Sequence, residues 1–256
     1  MRFAATLSLL AGLLVLAGCM GDGETKTVTV RETVTETGAS GTVPSEAPAL
    51  VTLYFLRDGK VAPEVRGVVS RPDIAAVTIH QLFEGTESDL TTAIPHETRL
   101  RRLTIDGGVA TIELTPPLKN RKALAQITYT LTQFETVKRV SFNGQRPVGR
   151  AAFEQQTPAI FVESPLPDEE VEPGFEASGT ANTFEATFQY ELRDADGKIL
   201  TKDFETATSG TGTRGTFRFT VPYEVEAPQD GRLVVFEESA ADGSRINEIS
   251  IPLRLR

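Results

Sequence analysis

The spacing of hydrophobic positions changes along this chain and divides it into four segments. Residues 3–18 form an uncharged, mostly apolar run, and residues 20–48 are rich in Thr, Glu, Gly and Ser with no aromatic side chain. Residues 49–150 mix apolar strand-like runs with helical spacing, whereas residues 155–256 largely alternate apolar and polar positions. The pattern therefore predicts a leader, a tether and two domains of different class.

The segment 49–150 predicts the element order β-β-α-β-β-α-β. One helix is expected to start at residues 70–73 and to end at Gly85, and a second has helical spacing over residues 119–134. Alternating or continuous apolar runs predict strands at residues 50–56, 65–69, 100–105, 109–114 and 137–142. This order is typical of an α+β domain in which helices pack on a sheet.

The segment 155–256 predicts an all-β sandwich of about seven short strands. The clearest alternating runs begin at Phe184, Phe217 and Ile249. Asp-Gly pairs, which favour tight hairpin turns, occur at residues 196–197, 230–231 and 242–243. The antibody signature of paired cysteines and a tryptophan is absent from the sequence, so the prediction concerns the architecture alone.

The only cysteine of the chain, Cys19, follows the apolar run within Leu16-Ala17-Gly18-Cys19. The run is shorter than the roughly 20 residues that span a bilayer and has the layout of a secretory signal. The four residues resemble the bacterial lipobox, which implies cleavage before Cys19 and lipid attachment, including palmitate, to its thiol. The alternative is an uncleaved anchor with an incidental cysteine. We therefore expect a signal peptide at 1–18, a tether at 19–48 and a protein held on the outer face of the cell membrane.

Charge is distributed unevenly among the segments. Residues 49–150 contain 14 Lys and Arg against 10 Asp and Glu, whereas residues 151–256 contain 9 against 20. A basic domain therefore precedes an acidic one, which serves either solubility and domain packing or the binding of an anionic partner. The candidate anion-binding residues are Arg99, Arg101, Arg102, Lys119, Arg121 and Lys122.

Catalytic and metal-binding chemistry finds little support in the sequence. The two histidines, His80 and His96, lie in a predicted helix and a predicted loop, and no nucleophile, zincin or phosphate-loop motif occurs. The acidic run at residues 168–170 is interpreted as a solvated charge run, and Asp194 with Asp196 as part of a hairpin turn rather than half a calcium loop. We therefore expect no catalytic residue, no metal and no cofactor.

Two groups of sequence motifs resemble known domain families. Leu53-Tyr54-Phe55 and the stretches at 82–85, 90–95, 108–114 and 125–134 are similar to the GerMN domain of sporulation and spore-germination lipoproteins. The second group is similar to the immunoglobulin-like domain of bacterial spore germination, and it comprises residues 162–165, 171–173, 178–181, 184–186, 196–197, 215–217 and 235–244. The resemblance implies a GerMN domain at 49–150 and an immunoglobulin-like domain at 155–256. The change from mixed to alternating spacing predicts that the two fold independently, with a boundary near residues 150–158.

The resemblance further implies a non-catalytic binding or structural component of the bacterial cell envelope, in the setting of sporulation or spore germination. Expected partners are the membrane, peptidoglycan, anionic wall polymers or other envelope proteins, and nucleic acid is excluded by the expected compartment. Two alternatives remain open: a cell-wall enzyme acting on glycan or peptide, and an accessory regulator of a membrane sensor kinase.

Overall fold

The computed structural model describes residues 48–256. The predictions for the signal peptide at 1–18, for Cys19 and for the tether at 19–48 therefore lie outside the described residues, except that Pro48 already belongs to the first strand.

Five strands and two helices form the first domain in the predicted order. They are β1 (Pro48–Arg57), β2 (Lys60–Val69), α1 (Ile74–Glu84), β3 (Arg99–Asp106), β4 (Val109–Thr115), α2 (Arg121–Leu131) and β5 (Arg139–Phe142). One apolar core joins them, to which β1 gives Phe55, α1 gives Ile79, β4 gives Ile112 and α2 gives Ile127. The predicted α+β class is confirmed.

The expectation of one sheet under the helices is wrong, because the strands form two separate sheets. β1 pairs only with β2 as an antiparallel hairpin, while β3, β4 and β5 form a three-stranded sheet in which β4 and β5 are parallel. The reason lies at the outer edge of β1. Side chains of α2 and an isolated bridge between Leu56 and Thr91 satisfy the backbone groups there, so no further strand can join.

The C-terminal end of α1 lies where the sequence predicts it, whereas that of α2 does not. Gly85 ends α1 with a φ of 101°, as expected for a glycine past the last turn. α2 begins at an Asn120 cap and stops before Thr132, three residues short of the predicted 134. Thr132 and Gln133 donate side-chain hydrogen bonds to the carbonyls of Thr128 and Thr130, and these bonds compete with continued helix.

The second domain consists of eight strands in two mainly antiparallel sheets that pack face to face. They are β6 (Ile160–Ser164), β7 (Glu169–Val171), β8 (Phe175–Ala181), β9 (Thr187–Asp194), β10 (Ile199–Thr206), β11 (Gly215–Val221), β12 (Gln229–Glu238) and β13 (Arg245–Leu255). Their orders are β10-β9-β12-β13-β7 and β11-β8-β6. The core between the sheets contains Phe188 against Phe217 and Tyr190 stacked on Phe219. The predicted all-β sandwich is confirmed.

Two local predictions in this domain are wrong. The strand expected from Phe184 begins only at Thr187, because Glu185 and Ala186 adopt left-handed backbone conformations in a short 3₁₀ turn. The pair Asp230-Gly231 lies inside β12 rather than in a hairpin turn. A Cβ on Gly231 would lie 2.7 Å from the carbonyl oxygen of Arg193, so this glycine permits close strand packing.

A shared aromatic cluster lies across the proposed domain boundary at residues 150–155. Tyr54 of β1 and Tyr129 of α2 have ring centroids 5.4 Å apart, and Phe161 of β6 meets Tyr129 edge-on at 5.5 Å. Burial raises the pKa of Tyr129 to about 12, although the guanidinium of Arg150 opposes the rise. The two domains therefore contribute to one small hydrophobic contact in addition to their own cores.

Arg150 stabilises this contact through a cation–π interaction, an ion pair and a hydrogen bond. Its guanidinium lies 4.7 Å from the ring centroid of Tyr129, forms an ion pair with Glu163 of β6 and donates from Nε to Thr132 Oγ1 at 2.7 Å. One side chain thus joins the end of α2 to the first strand of the sandwich. Loss of Arg150 would leave the aromatic contact without its polar cover.

Candidate functional site

The first three candidate cations lie on an open strand edge. Arg99, Arg101 and Arg102 belong to β3, which pairs on one side only, with β4. All three side chains are exposed, and within residues 48–256 none lies in an ion pair. Arg99 donates to the carbonyl oxygens of His96 and Thr98, and Arg101 donates to Thr115 Oγ1 at 3.3 Å. Their positive charge is therefore available to an anionic partner.

The other three candidate cations lie at the start of α2 and serve different contacts. Arg121 donates to the carbonyl oxygen of Ala152 and stacks at 5.3 Å on the ring of Phe153, in the 3₁₀ segment between the domains. Lys122 lies against the β1–β2 turn, where a Cβ on Gly59 would be 2.7 Å from its Nζ. Lys119 is exposed on the approach to the helix. Arg121 thus has a structural role that the sequence pattern did not reveal.

The β3 arginines and Arg121 of α2 contact different parts of the described chain. Arg121 contacts the segment between the domains, whereas Arg101 contacts the end of β4. We therefore carry forward the β3 arginines as the candidate anion-binding group.

The remaining chemical candidates have ordinary structural contacts. His80 is exposed, and His96 lies 3.2 Å from Glu97 at the surface. In the acidic run, Glu169 accepts a hydrogen bond from the backbone N–H of Leu166, and Glu170 pairs with Arg256 at 2.6 Å. Between residues 48 and 256 there is no cluster of three or more His, Cys, Asp or Glu with the arrangement of a metal site.

Asp194 has the role expected of a turn residue. Its Oδ1 accepts a hydrogen bond from the backbone N–H of Lys198 at 2.9 Å, and Gly197 has a φ of 84°. The turn between β9 and β10 therefore accounts for this aspartate without a metal ion.

A ladder of polar side chains on α2 is the feature that sequence reasoning missed. Gln126 and Thr130 lie on one face of α2 and Gln133 follows its C-terminal end, and all three bond to the backbone of β1. Gln126 Nε2 donates to the carbonyl oxygen of Tyr54 at 3.1 Å, and Thr130 Oγ1 accepts from the N–H of the same residue at 3.0 Å. The spacing of four and three residues between these polar side chains was the available signal.

A buried carboxylate on the outer face of the sandwich forms a second polar cluster. Glu191 of β9 is fully covered by cations, with Arg193 and Arg245 each 2.5 Å from a carboxylate oxygen and Lys202 at 3.8 Å. Burial alone would raise the pKa of Glu191, but the hydrogen bonds from Arg245 and Arg193 outweigh it and hold the pKa below its ordinary value of 4.5. Arg245 also stacks on Phe236 at 3.9 Å.

We expect Glu191→Gln to destabilise the protein by about 2 kcal/mol at pH 7, because it removes charged hydrogen bonds. A lowered folded-state pKa contributes stability above the ordinary value, and this contribution is lost as the pH falls through the folded-state pKa. The deficit of the variant should therefore shrink below pH 4.5. Urea unfolding at a series of pH values measures it.

Glu176→Gln is the matched control, since Glu176 pairs with Arg218 at the surface and both side chains are at least half exposed. Such pairs contribute about 0–1 kcal/mol. A deficit for Glu191→Gln that is equally small, or that grows as the pH falls, would contradict the role assigned to the buried carboxylate.

Two family models match this chain in consecutive segments. Residues 52–145 match the family described as sporulation and spore germination, and residues 159–244 match the immunoglobulin-like domain of bacterial spore germination. Among curated proteins, none matches the chain. Among the described residues, no helix has both the length and the apolar character needed to cross a bilayer.

Solved structures give weak matches. One is a lipoprotein candidate from Clostridium perfringens, 17% identical, covering 45% of this chain and 98% of its own, with a TM-score of 0.29. Another is CopC from Methylosinus trichosporium OB3b, 14% identical, covering 38% of this chain and 92% of its own, with a TM-score of 0.25. Neither superposition is good enough to transfer a property.

Proposed function

We propose that this chain has a non-catalytic binding role in the cell envelope. The chain belongs to the sporulation and spore-germination family and carries an immunoglobulin-like domain of bacterial spore germination. Lipid on Cys19 would hold the protein on the outer face of the cell membrane. The order of leader, Cys19, tether and two domains supports this arrangement.

The exposed arginine group on β3 is the observation that carries the proposed binding role. Arg99, Arg101 and Arg102 lie on one open edge, and within residues 48–256 none of them forms an ion pair, although Glu113 of β4 lies opposite Arg102 in the strand register. Anionic polymers and lipid headgroups are the abundant charged material of the expected compartment. The first domain therefore has a surface suited to contact with the wall or the membrane.

Replacing Arg99, Arg101 and Arg102 by glutamine should weaken binding to purified walls that retain their anionic polymer by about tenfold or more. Each basic group near an anionic surface contributes about 1 kcal/mol, and about 1.4 kcal/mol is a factor of ten. Binding of the unchanged protein should also weaken steeply with salt. Co-sedimentation across a salt series measures both effects.

A variant with Lys198, Arg232 and Arg254 replaced by glutamine is the matched control. These three exposed side chains lie on the second domain, so the variant removes the same charge from a different surface. Equal weakening by both triple variants, or binding that does not depend on salt, would contradict a specific role for β3.

A zymogram on the same walls separates this role from that of a cell-wall enzyme. We expect no zone of clearing, because the sequence contains no nucleophile, zincin or phosphate-loop motif. Clearing by the full chain would favour the enzyme.

A further inference from the structure

The two outer edges of the β1–β2 hairpin differ in their hydrogen bonding. The outer edge of β1 is closed by the ladder on α2 and by the bridge from Leu56 to Thr91. The outer edge of β2 pairs with no strand among the described residues. An unpaired strand edge is a template on which another chain can add a strand.

The pairing register identifies which backbone groups of β2 face outward. Thr52 and Tyr54 of β1 turn their backbone groups toward α2, so their partners Val65 and Pro63 must turn theirs outward as well. Pro63 fits this assignment, because proline has no N–H to give to β1. The outward set therefore includes Val61, Pro63 and Val65, and none of these three residues has a hydrogen-bond partner within residues 48–256 outside the hairpin.

These outward groups face a groove between the hairpin and the sandwich. Two adjoining cavities of about 720 and 240 Å³ share Arg57, Pro63 and Pro167 in their walls. The opposite wall is formed by the turn after β6 and by β13, whose edge is covered by β7 only from Leu253 to Leu255. Prolines at 63, 165, 167 and 252 contribute rigid apolar surface to these walls.

The charged groups that line the groove are mostly acidic. Its two cations are engaged, since Arg57 pairs with Asp89 at 3.2 Å and Lys60 donates to the carbonyl oxygen of Gln155 at 2.8 Å. Six carboxylates line the two cavities, at residues 58, 64, 89, 168, 169 and 248. Among these, Asp58, Asp168 and Glu169 have no cation within ion-pair distance in the described part of the chain. Charge complementarity therefore favours a positively charged occupant.

We propose that this groove binds an extended, cationic segment of another polypeptide as an added strand on the open edge of β2. Backbone hydrogen bonds to Val61, Pro63 and Val65 give affinity, and alternate side chains of the added strand lie against the proline walls. The basic side chains between them meet Asp58, Asp168 and Glu169. The proposal goes beyond the envelope-binding role and depends neither on the lipid nor on the β3 arginines.

A blocked ten-residue peptide that alternates lysine with valine is the probe, titrated into the full chain by calorimetry. We expect saturable binding, and at least tenfold weaker binding when every lysine is replaced by glutamate. Two N-methylated forms of the lysine peptide give the sharper test, because each blocks the amides of one edge only. Strand addition uses one edge, so one form should bind like the parent and the other should lose binding at least tenfold.

Protein variants place the binding on β2. Val65→Pro removes an outward N–H without removing a bond to β1, and it should weaken binding of the lysine peptide at least tenfold. Thr206→Pro is the matched control. Thr206 lies on β10, and its backbone N–H points away from the pairing strand β9 and donates a hydrogen bond to the side chain of Glu205. Asp168→Asn keeps a residue that tolerates the φ of 62° and should weaken binding through charge alone.

Several outcomes would overturn the proposal. They are no detectable binding of the lysine peptide, equal binding of the lysine and glutamate peptides, equal binding of the two N-methylated forms, or equal effects of Val65→Pro and Thr206→Pro. Should Val65→Pro fail to fold, the N-methylated pair decides alone with the unchanged protein. Peptide binding that falls as the chain dimerises would assign the groove to a second copy. Failure of any of these tests leaves the salt-dependent wall binding of the β3 surface untouched.

Discussion

Replacing Gln126 by leucine should lower the free energy of unfolding by about 3 kcal/mol, although the side-chain volume hardly changes. Gln126 is fully buried and satisfies two backbone groups, the carbonyl oxygen of Tyr54 and the N–H of Ala93, at 3.1 and 2.8 Å. Leucine leaves both groups buried without a partner, and each such loss costs about 1–3 kcal/mol. Urea unfolding of the full chain measures the change.

Gln133→Leu is the internal control for this prediction. Gln133 makes the equivalent bonds to both backbone groups of Thr52, but it is only half-buried, so water can replace it. We expect a loss of about 1 kcal/mol for this variant. Equal losses at the two positions would show that helix propensity or packing, rather than buried backbone satisfaction, sets the cost.

Replacing Cys19 by alanine should abolish incorporation of a fatty-acid probe and stop lipoprotein processing. Cys19 is the only thiol in the chain, so no other residue can form the thioether that carries the lipid. Two acyl chains are needed for stable anchoring, because each buried methylene contributes only about 0.8 kcal/mol. Metabolic labelling followed by fractionation measures both processing and membrane retention.

Gly18→Ala is the paired control, since it keeps a small residue before the cysteine and should still label. Labelling of Cys19→Ala at the wild-type level would refute the assignment of the anchor. Loss of labelling in both variants would indicate that the sequence before the cysteine, rather than the thiol, limits processing.

Apolar periodicity was sufficient to predict the order of elements because each segment has its own core. Residues 217, 219 and 221 alternate and are all buried in β11, and the first domain follows its predicted order from β1 to β5. The prediction failed where a polar or small residue serves the backbone. Gly231 permits close packing inside a strand, and Glu185 and Ala186 take left-handed conformations that alternation does not reveal.

The candidate sites were less predictable. The sequence shows which side chains are charged, but it does not show which residues each charged side chain contacts. The sequence indicated six cations of equal standing, yet Arg121 contacts Ala152 and Phe153 in the segment between the domains, whereas Arg99 and Arg101 bond only within the first domain. The groove beside β2 was not foreseen at all. Its walls come from residues about a hundred positions apart, such as Pro63 and Pro167, and no local pattern brings these together.

The ladder on α2 also constrains how this domain can change over evolution. The helix holds β1 through main-chain atoms, which every amino acid except proline supplies in full. Thr52 and Tyr54 can therefore be exchanged, as far as this ladder is concerned, without loss of the hydrogen bonds they receive. Gln126, Thr130 and Gln133 cannot be exchanged in this way, because their side chains make the bonds. Among divergent relatives, we therefore expect these three positions to stay polar while the residues of the opposite strand vary.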